Sequence, residues 1–354
     1  MKQPITEIAK PLVAWYKLHE RTFPWRENPS PYRVWVSEIM LQQTRIEAAL
    51  PYFHRFMEAL PTIKDLANAD EDLLLKLWEG LGYYSRVRNL QKAAKRVMEE
   101  FGGELPDDYE KLLTLNGIGE YTAGAIASIA FGKRVAAVDG NVLRVMARLL
   151  DDDTDVMDTK HRKQLTKLVN ELVPEGYAGE FNQGIMELGE TICLPNAMPR
   201  CLECPLKDYC AVAGLERARE LPVRSAPKQR RVEQRMVFTI ITDEKTPRVL
   251  LHRREKNGLL GGMWELPNAL LPANSVLEDW GIPVISTKPL STAKHIFSHV
   301  EWQLQGTLVK AKSFTPKDGF QLVLATEWEQ YALPTAFKTY SKNIPMLLKG
   351  EEIQ

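Results

Sequence analysis

Apolar side chains recur every three to four positions through the first 215 residues, the period of helices with one buried face. Segments 5–19, 32–49, 70–77, 88–101, 109–115, 121–131, 141–150, 162–172 and 181–191 fit that period, and Pro, Gly, Asp and Asn turns separate them. Beyond residue 235 the period shortens towards two. Segments 236–242, 248–252, 295–310 and 320–325 read as strands, with one helix near 275–280 and another near 338–348. The pattern predicts a mainly α domain over 1–215 and a smaller α+β domain over 236–354. Between them, 216–235 holds seven Arg or Lys residues and two prolines, and reads as a basic linker. Its cations are placed either to touch phosphate or simply to be solvated.

Composition narrows the class. With 44% hydrophobic and 26% charged residues the chain is an ordinary globular protein, and its 354 residues suit two domains. No apolar run approaches the ~20 residues of a membrane span. The first twenty residues interleave Lys, Glu and His with apolar positions, unlike a signal peptide. Forty-six basic residues balance forty-six acidic ones, so any nucleic-acid binding must rely on local basic patches.

All four cysteines fall within one short stretch: Cys193, Cys201, Cys204 and Cys210. That confinement predicts a metal site and a reducing cytosol, since dispersed pairs would suggest disulfides. Pro195, Pro199 and Pro205 make the stretch a loop. Its spacing, C-x7-C-x2-C-x5-C, contains one C-x-x-C where most zinc ribbons use two. Four thiolates on one irregular loop suit a cubane iron–sulfur cluster, and spacing alone places it only slightly ahead of zinc.

Three further features carry chemistry. Residues 115–123, Leu-Asn-Gly-Ile-Gly-Glu-Tyr-Thr-Ala, read as helix, two-glycine turn, helix. Gly117 and Gly119 would admit positive φ and turn amide N–H groups outward at a helix N-terminus, where a phosphate can bind. Ala123, Gly124 and Ala127 would let the second helix pack closely. Glu38 has Val34 and Leu41 as helical neighbours, and apolar company raises a carboxyl pKa towards that of a proton donor. Asp139 precedes Gly140-Asn141-Val142 as the N-cap of the next helix, where backbone donors and the dipole should keep it ionised. Taken alone, Glu38 could sit at a rim and Asp139 could be an ordinary cap. Together, a protonated and an ionised carboxyl are what glycosidic cleavage through an oxocarbenium-like state requires.

These motifs resemble the helix-hairpin-helix DNA glycosylases of the endonuclease III superfamily. Three longer stretches narrow the resemblance to the adenine DNA glycosylase (MutY) family: Pro24-Trp25-Arg26, Trp35 to Thr44, and Trp78-Glu79-Gly80-Leu81-Gly82-Tyr83-Tyr84-Ser85-Arg86. The resemblance covers essentially the whole chain. It implies a helix-hairpin-helix glycosylase domain with an iron–sulfur loop, a [4Fe–4S] cluster on the four cysteines, and a Nudix-like C-terminal domain. The family's usual first cysteine gap is six residues. Here it is seven, 194–200, and an extra loop residue can bulge without moving the sulfurs.

By the same resemblance Glu38 would protonate adenine N7 and later assist water, Asp139 would stabilise the sugar cation, and Tyr121 and Asn141 would orient them. Tyr121 stands where bifunctional relatives carry a Schiff-base lysine, which implies base removal without strand nicking. Arg26 and Glu187 would line the adenine pocket once the base leaves the duplex. Gln42, Leu81 and Tyr83 would fill or wedge the gap, with Thr44 beside them in the DNA-binding set. Phe297-Ser298-His299 matches the loop that inspects 8-oxoguanine opposite adenine. Asn274, Ser275 and Leu266 stand where a Nudix hydrolase keeps its catalytic residues, which predicts a binding module without the usual Mg²⁺ site. The partner implied is duplex DNA carrying adenine opposite 8-oxoguanine, bound by a monomer. Two rivals remain: a relative acting on thymine in G·T mismatches, expected to lack Ser298-His299 and the appended domain, and a catalytically silent DNA-binding or redox-sensing protein. Retention of Glu38 and Asp139 argues against the second.

Overall fold

The computed structural model describes residues 2–226 and 229–351, so Pro227 and Lys228 of the expected linker lie outside the described residues. The described chain forms two compact units. One comprises Met1–Asn68 and Arg88–Ala226, the other Ala69–Val87 and Pro227–Gln354. The helices, in chain order, are α1 (Ala9–His19), α2 (Pro24–Glu27), α3 (Pro31–Leu41), α4 (Ile46–Ala59), α5 (Ile63–Asn68), α6 (Glu71–Leu77), α7 (Ser85–Glu100), α8 (Tyr109–Leu113), α9 (Glu120–Ala125), α10 (Gly140–Leu150), α11 (Thr159–Leu172) and α12 (Ala178–Thr191).

Local chemistry fixes where these begin. Asp70, Asp108, Asp139 and Asp158 each accept an N–H from the first turn of α6, α8, α10 and α11. Pro31 opens α3 behind the Ser30 cap, using the position where a missing N–H costs nothing. The segment expected as one helix over 32–49 divides. Gln43 takes φ 59°, α3 ends, and α4 starts afresh at Ile46 and runs on past Pro51. The helix expected over 121–131 becomes α9 followed by a π-helical turn, Ile126–Ala130.

The first unit's core is the apolar face of α10 (Val142, Val145, Met146, Leu149) packed with Phe181, Ile185 and Leu188 of α12 and Leu12 of α1. Close approach is bought with glycine. A Cβ at Gly184 would lie 3.1 Å from Tyr16 Cβ, and one at Gly124 only 2.1 Å from the Ala136 carbonyl oxygen. This is the tight hairpin packing read from Ala123, Gly124 and Ala127.

The second unit is built on a seven-stranded mixed sheet: β1 (Arg231–Thr242), β2 (Val249–Arg253), β3 (Trp264–Glu265), β4 (Asn268–Leu270), β5 (Val284–Ile296), β6 (Val300–Ala311) and β7 (Phe320–Val323), with α13 (Val276–Asp279), α14 (Lys338–Ser341) and α15 (Ile344–Leu347). The main path runs β3-β2-β1-β6-β5, and β1 and β6 are parallel from Arg231↔Val300 to Thr242↔Ala311. Trp302, Leu304 and Phe337 belong to the core on one face, and Phe238, Val309 and Ile282 to a second core. Two expectations change here. Residues 231–235 belong to a strand, and Ala218 and Leu221 are buried, so much of the expected linker is folded. The single strand expected over 295–310 is a hairpin turning at 297–299.

Candidate active site and cysteine loop

Glu38, Asp139, Tyr121, Asn141, Arg26, Glu187, Gln42, Thr44 and Gly119 all line one cleft of about 1140 Å³ in the first unit. That exceeds the ~300–1,000 Å³ of ordinary small-molecule pockets, room for a base with its sugar. Stacked Phe23 and Trp25 (ring centroids 5.2 Å apart) stand at the α2 side, and Trp25 reaches the cleft.

Glu38 projects from the buried face of α3 and is 7% exposed. Burial pushes its carboxyl up to about 7. The hydroxyl of Tyr121 opposes that shift, and the nearby Asp139 reinforces it. Tyr121 donates to Glu38 Oε2 at 2.5 Å, and burial holds its own ionisation well above 10, so it stays a donor.

Asp139 caps α10 as expected, accepting Val142 N–H at Oδ1 and the Asn141 amide at Oδ2, both at 2.8 Å. Burial nevertheless raises its pKa, with those donors pulling the other way. The donors expected to keep it ionised are present, but desolvation is the larger effect. Two donors and a helix N-terminus favour charge on Asp139 more than one phenol favours it on Glu38. Asn141 is held in turn by Arg144, whose Nη2 donates to Asn141 Oδ1 and to the Gly189 carbonyl, each at 2.8 Å. A Cβ at Gly189 would lie 2.7 Å from Asn141 Cβ, so α12 needs glycine there.

Two charged residues here, Arg21 and Glu190, were not singled out from the sequence. Arg21 bridges Glu187 and Glu190, while Arg26 holds the second oxygen of Glu187 at 2.8 Å. Glu187 is 1% exposed, so its role in the pocket begins as the buried anchor of two arginines. Only its helical spacing from Glu190, three residues on, hints that both face one side.

Gly117 takes φ 77° as expected, and a Cβ there would lie 2.9 Å from Asn89 Cβ. Gly119 does not: it is the extended N-cap of α9, φ −98°, in open space. Leu81, Tyr83 and Phe297–His299 belong to the second unit. Phe297 packs on Trp302 (4.9 Å between centroids), while Ser298 and His299 are exposed at the hairpin tip.

The four cysteines are half-buried and line one small cavity with Ile192, Pro199 and Val212. Arg148 Nη1 lies 3.2 Å from Cys193 Sγ, and Leu206 N–H points at Cys204 Sγ from 3.4 Å. Among the described residues no three His, Cys, Asp or Glu converge as ligands of a single ion would. The long first gap bulges at Asn196, φ 56°, and closes where Arg200 N–H meets the Ile192 carbonyl at 3.0 Å.

Residues 36–175 match the HhH-GPD superfamily of base excision DNA repair proteins, and 236–343 match a NUDIX domain. The helical unit also resembles a thermostable thymine-DNA glycosylase (28% identity, TM-score 0.53), covering 57% of this chain and 93% of that one. A trapped endonuclease III–DNA covalent intermediate shares the fold at 23% identity and TM-score 0.50, over 58% and 94% of the respective chains. The matched superfamily and the shared fold make the chain a DNA glycosylase. The adenine DNA glycosylase of Rattus norvegicus is 32% identical over 94% of this chain and 77% of its own length, and that of Homo sapiens 33% identical over 94% and 73%. The chain belongs to the adenine DNA glycosylase family: it binds DNA and removes adenine in base-excision repair.

Proposed function

We propose that the adenine removed is the one paired with 8-oxoguanine, or with guanine, and that the strand is left intact. The observation that carries the chemistry is the buried Glu38–Tyr121 pair sharing a cleft with Asp139. Glu38 gives its proton to N7 of an extruded adenine. The C1′–N9 bond breaks, its electron pair leaves with the purine, and the Asp139 carboxylate faces the cationic sugar carbon. Water adds to C1′ and returns a proton to Glu38. Tyr121 offers no amine, and the described residues lining the cleft include arginines but no lysine, which supports hydrolysis without an imine.

Ser298 and His299 present exposed donors and acceptors for the N7–H and O8 side of 8-oxoguanine, steadied by the packed Phe297 ring. Cys193, Cys201, Cys204 and Cys210 would hold a [4Fe–4S] cluster. What supports this is that all four cysteines line one small cavity and that the seven-residue gap closes through Arg200 N–H on the Ile192 carbonyl. Bound there, the cluster supplies iron–thiolate bonds that tie residues 193–210 into one loop. We take the working protein to be a monomer.

The test is a glycosylase assay on duplexes bearing A, T or G opposite 8-oxoguanine and A opposite G, with alkali added afterwards. Adenine-specific release, breaks only after alkali, and no borohydride-trapped adduct are expected. Release of thymine, or alkali-independent nicking, would refute the reading. Replacing Ser298 and His299 together by alanine should shrink the preference for 8-oxoguanine over guanine, and an unchanged ratio would count against the loop.

A further inference from the structure

Residues 69–87 precede α7 in the chain but belong to the compact unit of the C-terminal sheet. The attachment is specific. Glu79 Oε1 accepts the backbone N–H of Leu333 at 2.8 Å, and Oε2 accepts Lys76 Nζ at 2.8 Å. Lys76 Nζ donates again to the Tyr331 carbonyl at 3.2 Å, and Asp72 pairs with Arg253 at 3.2 Å.

Directly after Glu79 comes a turn held under strain. Gly80 and Gly82 take φ 105° and 69°, and Tyr83, which has a Cβ, takes φ 47°. Such a backbone persists only where its surroundings over-determine it. Here Trp78 Nε1 donates to the Gly82 carbonyl at 3.1 Å, and Arg86 Nη2 donates to the Leu81 and Gly82 carbonyls at 3.0 and 3.1 Å. The result is a half-exposed Tyr83 ring, 49% accessible, on a rigid mount.

The other end of the attachment leads to the hairpin tip. Leu333 and Phe337 share a core with Trp302; the Phe337 ring lies 6.0 Å from that of Trp302, which packs on Phe297. A continuous run of packed groups within one unit thus joins the Tyr83 turn to Ser298 and His299.

We propose that Glu79 is a positioning residue that couples the exposed Tyr83 turn to the loop reading the opposite base, so that 8-oxoguanine at the loop favours insertion of Tyr83 into the duplex. This rests on the loop assignment made under Proposed function and on the wedge role that the family resemblance implies for Tyr83. Physical continuity alone does not establish coupling; an energetic cycle does.

The experiment uses the full-length protein as Glu79→Ala, as the Ser298→Ala plus His299→Ala variant, and as their combination. Single-turnover adenine release is measured on A·8-oxoguanine and A·G duplexes. Fluorescence of 2-aminopurine next to the adenine reports unstacking. Glu79→Ala is expected to slow the 8-oxoguanine duplex about tenfold, a usual size for coupling between sites, and the guanine duplex by less than about twofold. In the loop variant, Glu79→Ala should then have no further effect. Glu79→Gln, which keeps an acceptor for Leu333 N–H, should restore most of the rate. Equal slowing on both duplexes, or an effect that multiplies fully with the loop variant, would overturn the proposal. A loop variant that keeps its preference sinks the loop assignment in that arm alone. The anchor is then judged by 2-aminopurine, where unchanged unstacking in Glu79→Ala overturns it and lost unstacking sustains it.

Discussion

Glu38 owes its acidity to position. The same side chain on the outer face of α3 would ionise near 4.5; buried beside Asp139 it titrates at about 7. Raising a folded-state pKa favours the protonated form in the fold. The stability linked to it is complete below the unfolded value and is lost as pH rises through 7. A shift from 4.5 to about 7 corresponds to a cost of about 3 kcal/mol for the ionised fold. Glu38→Gln should therefore melt higher than the parent at pH 8, with the gain fading towards pH 4.5. Its base release should fall by at least ~10²-fold while duplex binding persists, the usual weight of a general acid. A melting difference independent of pH would show that Glu38 is not the group titrating. Glu190 allows a second, separable check. Held by Arg21 in the same cleft, its negative charge pushes Glu38 upward. Glu190→Gln should move the alkaline limb of the rate profile to lower pH, whereas a purely structural loss would lower the rate at every pH. Arg21 could not be found in the sequence because nothing but tertiary packing brings residue 21 to residues 187 and 190.

At the scale of elements, legibility followed the number of faces an element buries. The helices α7 and α11 each bury one stripe, so their 3.6-residue period survives in the sequence, whereas α10 is buried on nearly every side from Val142 to Leu149 and was legible through its apolar run and the Asp139 cap. The edge strand β5 buries almost nothing, and its alternation disappears; it was invisible before residue 295. The break after α3 was missed because it is made by a glutamine in a left-handed conformation rather than by Gly or Pro. Gly124, read for close packing, and Gly119, read for the turn, differ sharply in the room they leave for a side chain. Gly124→Ala drives a Cβ to 2.1 Å from a backbone oxygen that cannot rotate away, and should cost at least the ~1–3 kcal/mol of ordinary overpacking. Gly119→Ala meets nothing within 4 Å and has unstrained φ, so only a loss of up to about 1 kcal/mol at the cap is expected. Denaturant midpoints of the two variants would separate them, and a similar loss in both would contradict the packing assigned to α9.

For the whole molecule the telling number is a net charge of zero. Such a protein has no uniform field to draw in a polyanion, and most arginines from the expected linker are already engaged. Arg217 spans Asp151, Asp153 and Glu220, Arg219 pairs with Glu216, and Arg231 and Arg235 share Glu233. Arg224 differs. Its neighbours are pinned, Val223 by its carbonyl to Val156 N–H and Ser225 by its N–H to Asp155. Its guanidinium is directed at Gly140: a Cβ there would sit 3.4 Å from Arg224 Nη2. Gly140 opens α10 directly after Asp139 and lines the cleft, so Arg224 is predicted to meet a phosphate of DNA bound there. One phosphate contact contributes about 0.9 to the slope of log affinity against log salt. Arg224→Ala should therefore reduce that slope by about 0.9 and weaken binding to every duplex alike, whereas Arg217→Ala, whose charge is spent on three carboxylates, should leave the slope unchanged. Anisotropy titrations of one labelled duplex across a series of salt concentrations decide it. If the two variants shift the slope equally, the cations of this segment act as a diffuse patch, and the local assignment to Arg224 is wrong.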